Sequence, residues 1–158
     1  MTEILAPDAE GGGGTGVWVG SLHDAKRHDK LEAAGITHVL NTAADLHLVD
    51  GSFKEDDARF TYLRLNLLDN KQAAEDMSAL LDPTCWDFIE DATASGGQVL
   101  LHCAQGKSRS GTVAVYWAMR KFGMDYDPAL KLVQRVRGIV EPNGGFERIL
   151  RRHAVKLR

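Results

Sequence analysis

The apolar positions of this chain fall into short runs separated by polar and glycine-rich breaks. Val99-Leu100-Leu101 has no polar residue within it, the pattern of a strand covered on both faces in the middle of a parallel sheet. Val17-Trp18-Val19 reads as a short strand and Ile36 to Leu40 as a buried one. Phe60 to Leu67 is a further strand, with Tyr62 and Arg64 alternating against Leu63 and Leu65. Helical stretches lie between the strands. One through Lys30 to Ala34 stops at the C-cap Gly35. Asp82-Pro83 reads as an N-cap followed by proline at the first helical position, opening a helix to about Ser95. Thr112 to Phe122 is apolar nearly all round, so it is expected to be a central buried helix. Asp127-Pro128 starts another, and Asn143 to Arg158 forms the last. Strands alternating with helices indicate an α/β domain.

Residues 1–16 are acidic and end in the run Gly11-Gly12-Gly13-Gly14-Thr15-Gly16. Such a segment offers too little apolar surface to offset its ordering entropy. A flexible tail is expected there, followed by one folded domain over 17–158. A polar loop, Asp50 to Arg59, separates two of the strands. At 158 residues there is room for one core. The net charge of −3 argues against wholesale nucleic-acid binding, so any anion site must be local. Cys85 and Cys103 are too few for a disulfide framework or a four-ligand zinc site. A reducing compartment is the natural reading, cytoplasmic or nuclear. No apolar run reaches membrane-spanning length, the start lacks a signal-peptide pattern, and Thr2 excludes myristoylation.

The chemistry is concentrated in His102-Cys103-Ala104-Gln105-Gly106-Lys107-Ser108-Arg109-Ser110, between a buried strand and a buried helix. A loop placed there points backbone N–H groups at one spot, backed by the positive end of a helix dipole. Gly106 lets it curl without a side-chain clash. Arg109 adds a planar fork for two phosphate oxygens. The groups that bind phosphate also stabilise a thiolate, which makes Cys103 a nucleophile aimed at bound phosphorus. The substrate-binding residues are therefore Ala104, Gln105, Gly106, Lys107, Ser108 and Arg109. Gly106-Lys107-Ser108 imitates the end of a nucleotide-binding P-loop, but that motif needs glycine where Leu101 stands.

The pattern His-Cys-x-x-Gly-x-Ser-Arg-Ser closely resembles that of the dual-specificity protein phosphatases. The resemblance extends over about residues 17–155. Val17-Trp18-Val19-Gly20-Ser21 is similar to the family's opening strand, Gly35 to Asn41 to its next strand, and Pro142-Asn143-Gly144-Gly145-Phe146 to the start of its final helix. It implies a protein tyrosine phosphatase-like fold, a three-layer sandwich with a central mixed, mostly parallel sheet and helices on both faces. It implies further that Asp69, 34 positions before Cys103, is the general acid, with Asp57, Asp76 and Glu75 as weaker rivals. Ser110 would hydrogen-bond the cysteine sulfur. His102 would tune the thiolate from behind, and Asn143 would brace the loop or cap a helix. Cys85 is expected to be a packed core thiol, although some relatives protect the nucleophile with a second cysteine.

The expected activity is hydrolysis of phosphotyrosine and phosphoserine/phosphothreonine monoesters through a phosphocysteine, with no metal and no cofactor. The short chain leaves no room for the loops that deepen tyrosine-specific pockets, so the small atypical members are the nearest likeness. Phosphoprotein substrates, no nucleic-acid partner, no membrane span and a monomer are expected. The alternatives are a phosphatase of phosphoinositide or RNA 5′ phosphate, favoured by Lys107 at the loop rim, and an inactive phospho-binding module. The basic run Arg148, Arg151, Arg152, Lys156, Arg158 suits a helix C-terminus.

Overall fold

A computed structural model describes residues 1–7, 13–44 and 55–156. Among them, β1 (Thr2–Leu5), β2 (Gly14–Ser21), β3 (His38–Asn41), β4 (Thr61–Arg64) and β5 (Val99–Cys103) form one sheet in the order β1-β2-β5-β3-β4. β1 is antiparallel to β2, and the other three pairings are parallel. The apolar run at Val99-Leu100-Leu101 accordingly lies at the centre.

Alternation along these strands sorts their side chains into two cores. Val17, Val19, Leu40, Val99 and Leu101 face one side. Val39, Leu100 and Trp18 face the other. The second side is covered by α1 (Leu22–Ala25) and α2 (His28–Ala33), which contribute Ala25 and Leu31. The first side is covered by α3 (Ala74–Leu80), α4 (Trp86–Ala94), α5 (Arg109–Phe122), α6 (Tyr126–Val136) and α7 (Gly144–Lys156). The result is a three-layer α/β sandwich with a mixed sheet. α5 is buried from Arg109 through Met119 and ends at Gly123, whose φ of 62° suits a left-handed cap. Burial of each large aliphatic or aromatic side chain stabilises the fold by roughly 1.5–3 kcal/mol.

The structure departs from the sequence reading at four points. Residues 2–5 are not a flexible tail. Ile4 is fully buried, Thr15 Oγ1 donates to the Ile4 carbonyl at 2.6 Å, and Glu3 Oε1 accepts from Gly16 N at 2.9 Å. The apolar residue that anchors this strand is single, and the flanking glycines hide it. Residues 8–12 lie outside the described residues. Second, Asp82-Pro83 does open a helical run, which continues to Ala94 with Ser95 as its C-cap, but a helix absent from the sequence reading precedes it. The chain is already helical from Ala74, and non-helical Asp82 kinks the passage through Leu81–Cys85 into α4. Third, α6 begins at Tyr126 with Asp125 in the N-cap position, two residues before the Asp-Pro pair. Fourth, β4 stops at Arg64 because its neighbour β3 is four residues long. Of the loop Asp50 to Arg59, residues 50–54 lie outside the described residues, whereas Glu55 turns inward and is buried.

Candidate active site

β5 delivers His102 and Cys103 to the C-terminal ends of the parallel strands, opposite Asn41 of β3 and Ser21 of β2. Open α/β sheets place ligands at such ends. The loop that follows is held by its carbonyls. Thr42 N and Oγ1 both donate to the His102 carbonyl at 2.9 Å, and Leu22 N donates to Ala104 at 3.1 Å. Arg137 Nη2 and Nε donate to the carbonyls of Gln105 and Gly106 at 2.7 and 2.9 Å. Glu141 N donates to Lys107 at 2.9 Å, and Thr112 Oγ1 to Ser108 at 2.7 Å. With the carbonyls tied outward, the N–H groups are free to turn inward. Gly106 has φ of 68°, and a Cβ there would run into the Gly20 carbonyl and Arg137, so the position accepts only glycine without rearrangement.

The Cys103 sulfur is the focus of those N–H groups. The side chain is buried, which alone pushes a thiol pKa up. The Ser110 hydroxyl, 3.2 Å away, and the amides of Ser110, Lys107 and Gly106 outweigh burial, and the net shift is downward. A sulfur so held favours the thiolate. Ser108, at the N-cap of α5, makes no side-chain cap of its own, because its Oγ accepts from Asn143 N at 3.0 Å. The first turn of α5 thus presents open donors toward the sulfur. Arg109 is buried, and its Nη1 donates to the Leu67 carbonyl at 3.0 Å, which fixes the guanidinium across the mouth of the loop.

That contact ties α5 to the segment carrying Asp69. Asn143 Nδ2 donates to Asp69 Oδ1 at 3.0 Å, and both residues line a cleft of about 830 Å³ shared with Gln105, Lys107 and Ser108. Asn143 also caps α7, its Oδ1 accepting from the amides of Gly145 and Phe146 at 3.0 Å. Its side chain therefore braces Asp69, and its main-chain N–H braces the loop. The rival carboxylates are placed otherwise. Hydrogen bonds from Arg59, with His28 adding to them, hold Asp57 well below the usual carboxylate range. Glu75 pairs with Arg152 on the surface, and Asp76 lies in the first turn of α3.

His102 is fully buried, with Nε2 3.6 Å from Glu55 Oε1. Glu55 is held by Arg64 Nε at 2.7 Å and Asn41 Nδ2 at 2.8 Å. Sequence reasoning missed Glu55 and Arg137. One sits in a stretch read as a polar loop and the other beside a glycine in a surface turn, and neither carries a motif. Lys107 stands half exposed at the rim, 3.6 Å from Glu141. Cys85 is a free, buried thiol whose pKa burial pushes up to about 12. From the C-terminal basic run, Arg151 pairs with Asp127 and Glu147, and Arg152 with Glu75. Among the described residues, no cluster of three His, Cys, Asp or Glu side chains could hold a metal ion, and no helix is long and apolar enough to cross a membrane.

The family model for the dual specificity phosphatase catalytic domain matches residues 17–156. The chain belongs to the dual specificity phosphatase family. It is a cysteine-based phosphatase by that membership. Dual specificity protein phosphatase 1B of Arabidopsis thaliana is 37% identical over 131 residues, covering 83% of this chain and 73% of that protein. Protein phosphatase Slingshot homolog 3 of Mus musculus is 38% identical over 138 residues, covering 85% of this chain. The matched region spans only 19% of the length of that mouse relative. Human DUSP28 superposes with a TM-score of 0.82 at 27% identity, covering 99% of this chain and 97% of that one.

Proposed function

We propose that this phosphatase hydrolyses phosphotyrosine, phosphoserine and phosphothreonine in proteins through a phosphocysteine on Cys103. The observation that carries the reading is the Cys103 sulfur, with its pKa lowered at the centre of an amide nest whose carbonyls are tied away from it. The loop amides and Arg109 bind the three non-bridging oxygens. The Cys103 thiolate attacks phosphorus in line, an S–P bond forms, and the P–O bond to the side chain breaks. Asp69 gives its proton to the departing oxygen. In the second step Asp69 takes a proton from water, the water oxygen attacks phosphorus, and the S–P bond breaks to release inorganic phosphate. Ser110 stabilises the thiolate that leaves. Amides and guanidinium aimed at developing charge supply most of the acceleration. Cys103 must stay reduced throughout, which fits a protein acting on phosphoproteins in the cytoplasm or nucleus.

The substrate class is tested by a turnover panel of phosphotyrosine, phosphoserine and phosphothreonine peptides, vesicle-held phosphoinositide and 5′-phosphorylated RNA. Release of phosphate from all three peptide types is expected. Turnover confined to lipid or RNA, or binding without turnover, would overturn the reading.

A further inference from the structure

Among the described residues, the large apolar side chains that stand more than half exposed are Leu68 and Ile139, at 56% and 53%. Single exposed apolar residues are ordinary, but both of these border the same mouth. Leu68 lies between Leu67, whose carbonyl holds Arg109, and Asp69. Ile139 lines a cleft with Gln105 and Lys107. The segment that carries Ile139 is rigidly set. Val140 is fully buried between exposed Ile139 and Glu141, Gln134 Nε2 donates to the Val140 carbonyl at 2.8 Å, and Glu141 N donates to Lys107 within the catalytic loop. The outer edge of the loop is thus one apolar side chain and one carboxylate, two residues apart.

The charge of the adjoining cleft has the same sign. Asp69, Asp127, Glu141 and Glu147 line it against Lys107 and Arg151. Arg151 is engaged by Asp127 and Glu147, with contacts of 2.8–3.0 Å. Glu141 is the most exposed of the paired carboxylates here, at 74%, with Lys107 only at 3.6 Å. A substrate bringing further phosphates would meet like charge in this cleft. A substrate bringing a cation beside its phosphate would not.

We infer that the Ile139–Glu141 edge reads the residues flanking the phosphorylated side chain, favouring a peptide with an apolar residue and a basic residue beside it. The inference rests on the protein-phosphatase reading above and names the substrate sequence that reading leaves open. Ile139 packs against the apolar flank, and Glu141 pairs with the Lys or Arg. The pair is exposed, so its effect is modest, roughly twofold to fivefold in rate. Partial burial of one aliphatic side chain adds an effect of roughly fivefold.

The test compares kcat/KM on three phosphopeptides that differ only in the flanks: apolar with Arg, apolar with Glu, and Gly with Arg. The wild type should prefer the first over both others. Glu141→Lys should reverse the Arg-over-Glu preference, and Ile139→Ser should erase the apolar-over-Gly preference. Each enzyme is judged by its own ratios, so a common loss of turnover cancels. Equal rates on the three peptides in the wild type, or ratios that neither variant moves, would overturn the inference while leaving the protein-phosphatase reading intact. Turnover of vesicle phosphoinositide with none of any peptide would overturn that reading, and the inference with it.

Discussion

The Ser110 hydroxyl lies 3.2 Å from the Cys103 sulfur and shares it with three backbone amides. Burial and hydrogen bonding therefore oppose each other at one atom. Burial disfavours the thiolate and the donors favour it, and the donors win. The hydroxyl is the side chain that can be removed without touching the loop backbone.

Ser110→Ala should therefore move the acidic limb of the pH–rate profile. The thiolate is the reactive form, so activity rises as pH climbs through the Cys103 pKa. That pKa is lowered in the wild type. Loss of a donor raises it, and the acidic limb shifts to higher pH. A hydrogen bond to a charged group contributes about 1.5–3 kcal/mol, and 1.36 kcal/mol is tenfold in ionisation. Thiolate at acidic pH should fall on the order of tenfold to a hundredfold. An unchanged acidic limb of kcat/KM would remove Ser110 from the account.

The two cysteines should react very differently. Cys103 has a lowered pKa, and Cys85 is buried with its pKa pushed up to about 12. Brief treatment with iodoacetamide at neutral pH, followed by peptide mapping, should find the label on Cys103 alone. Saturating phosphate should slow it. Equal labelling of both would mean that the nest does not activate its sulfur.

Arg137→Ala should weaken oxyanion binding more than it weakens the fold. Arg137 holds two successive loop carbonyls, those of Gln105 and Gly106. Without it the corresponding peptide planes are free to rotate, and their amides no longer point at phosphate. The competitive inhibition constant for vanadate should rise about tenfold, in line with losing one to two charge-assisted hydrogen bonds, with little change in melting temperature. A matched fall in stability and affinity would make Arg137 a general prop.

How far the chain can be read without its fold is clear from these residues. The loop from His102 to Ser110 is legible because strand, turn glycine, arginine and helix start are adjacent in sequence, and local order dictates local geometry. Arg137 and Glu55 were invisible because their work is long-range. One reaches back 31 positions to a carbonyl of the loop, and the other reaches His102 from a separate segment. The first strand was missed for a related reason. Its single buried Ile4 acquires meaning only when β2 lies beside it. The helix from Ala74 was missed because Ala73 at its start makes no side-chain cap, whereas the Asp82-Pro83 signal marks the kink from which the next helical run proceeds.

Asp69→Asn should separate substrates by leaving group. Asn143 holds Asp69 at the rim of the cleft that contains the loop. An alkyl phosphate leaves as a strongly basic alkoxide and needs a proton. An activated aryl phosphate leaves more readily. General acid catalysis contributes roughly 10²–10⁴-fold, so phosphoserine peptides should lose far more than aryl esters in early-phase rates. Equal losses on both substrates would assign Asp69 to the turn it occupies.

The most direct measurement is the identity of the phosphorylated residue during turnover. Rapid acid quench of the enzyme with an activated aryl phosphate, followed by intact-mass and peptide analysis, should find one phosphoryl group, carried by Cys103. It should accumulate further in Asp69→Asn, where breakdown by water is slowed, and be absent in Cys103→Ser, which should not turn over. Full turnover by Cys103→Ser, or wild-type turnover that leaves the phosphoryl group on another residue, would contradict a phosphocysteine mechanism at this loop.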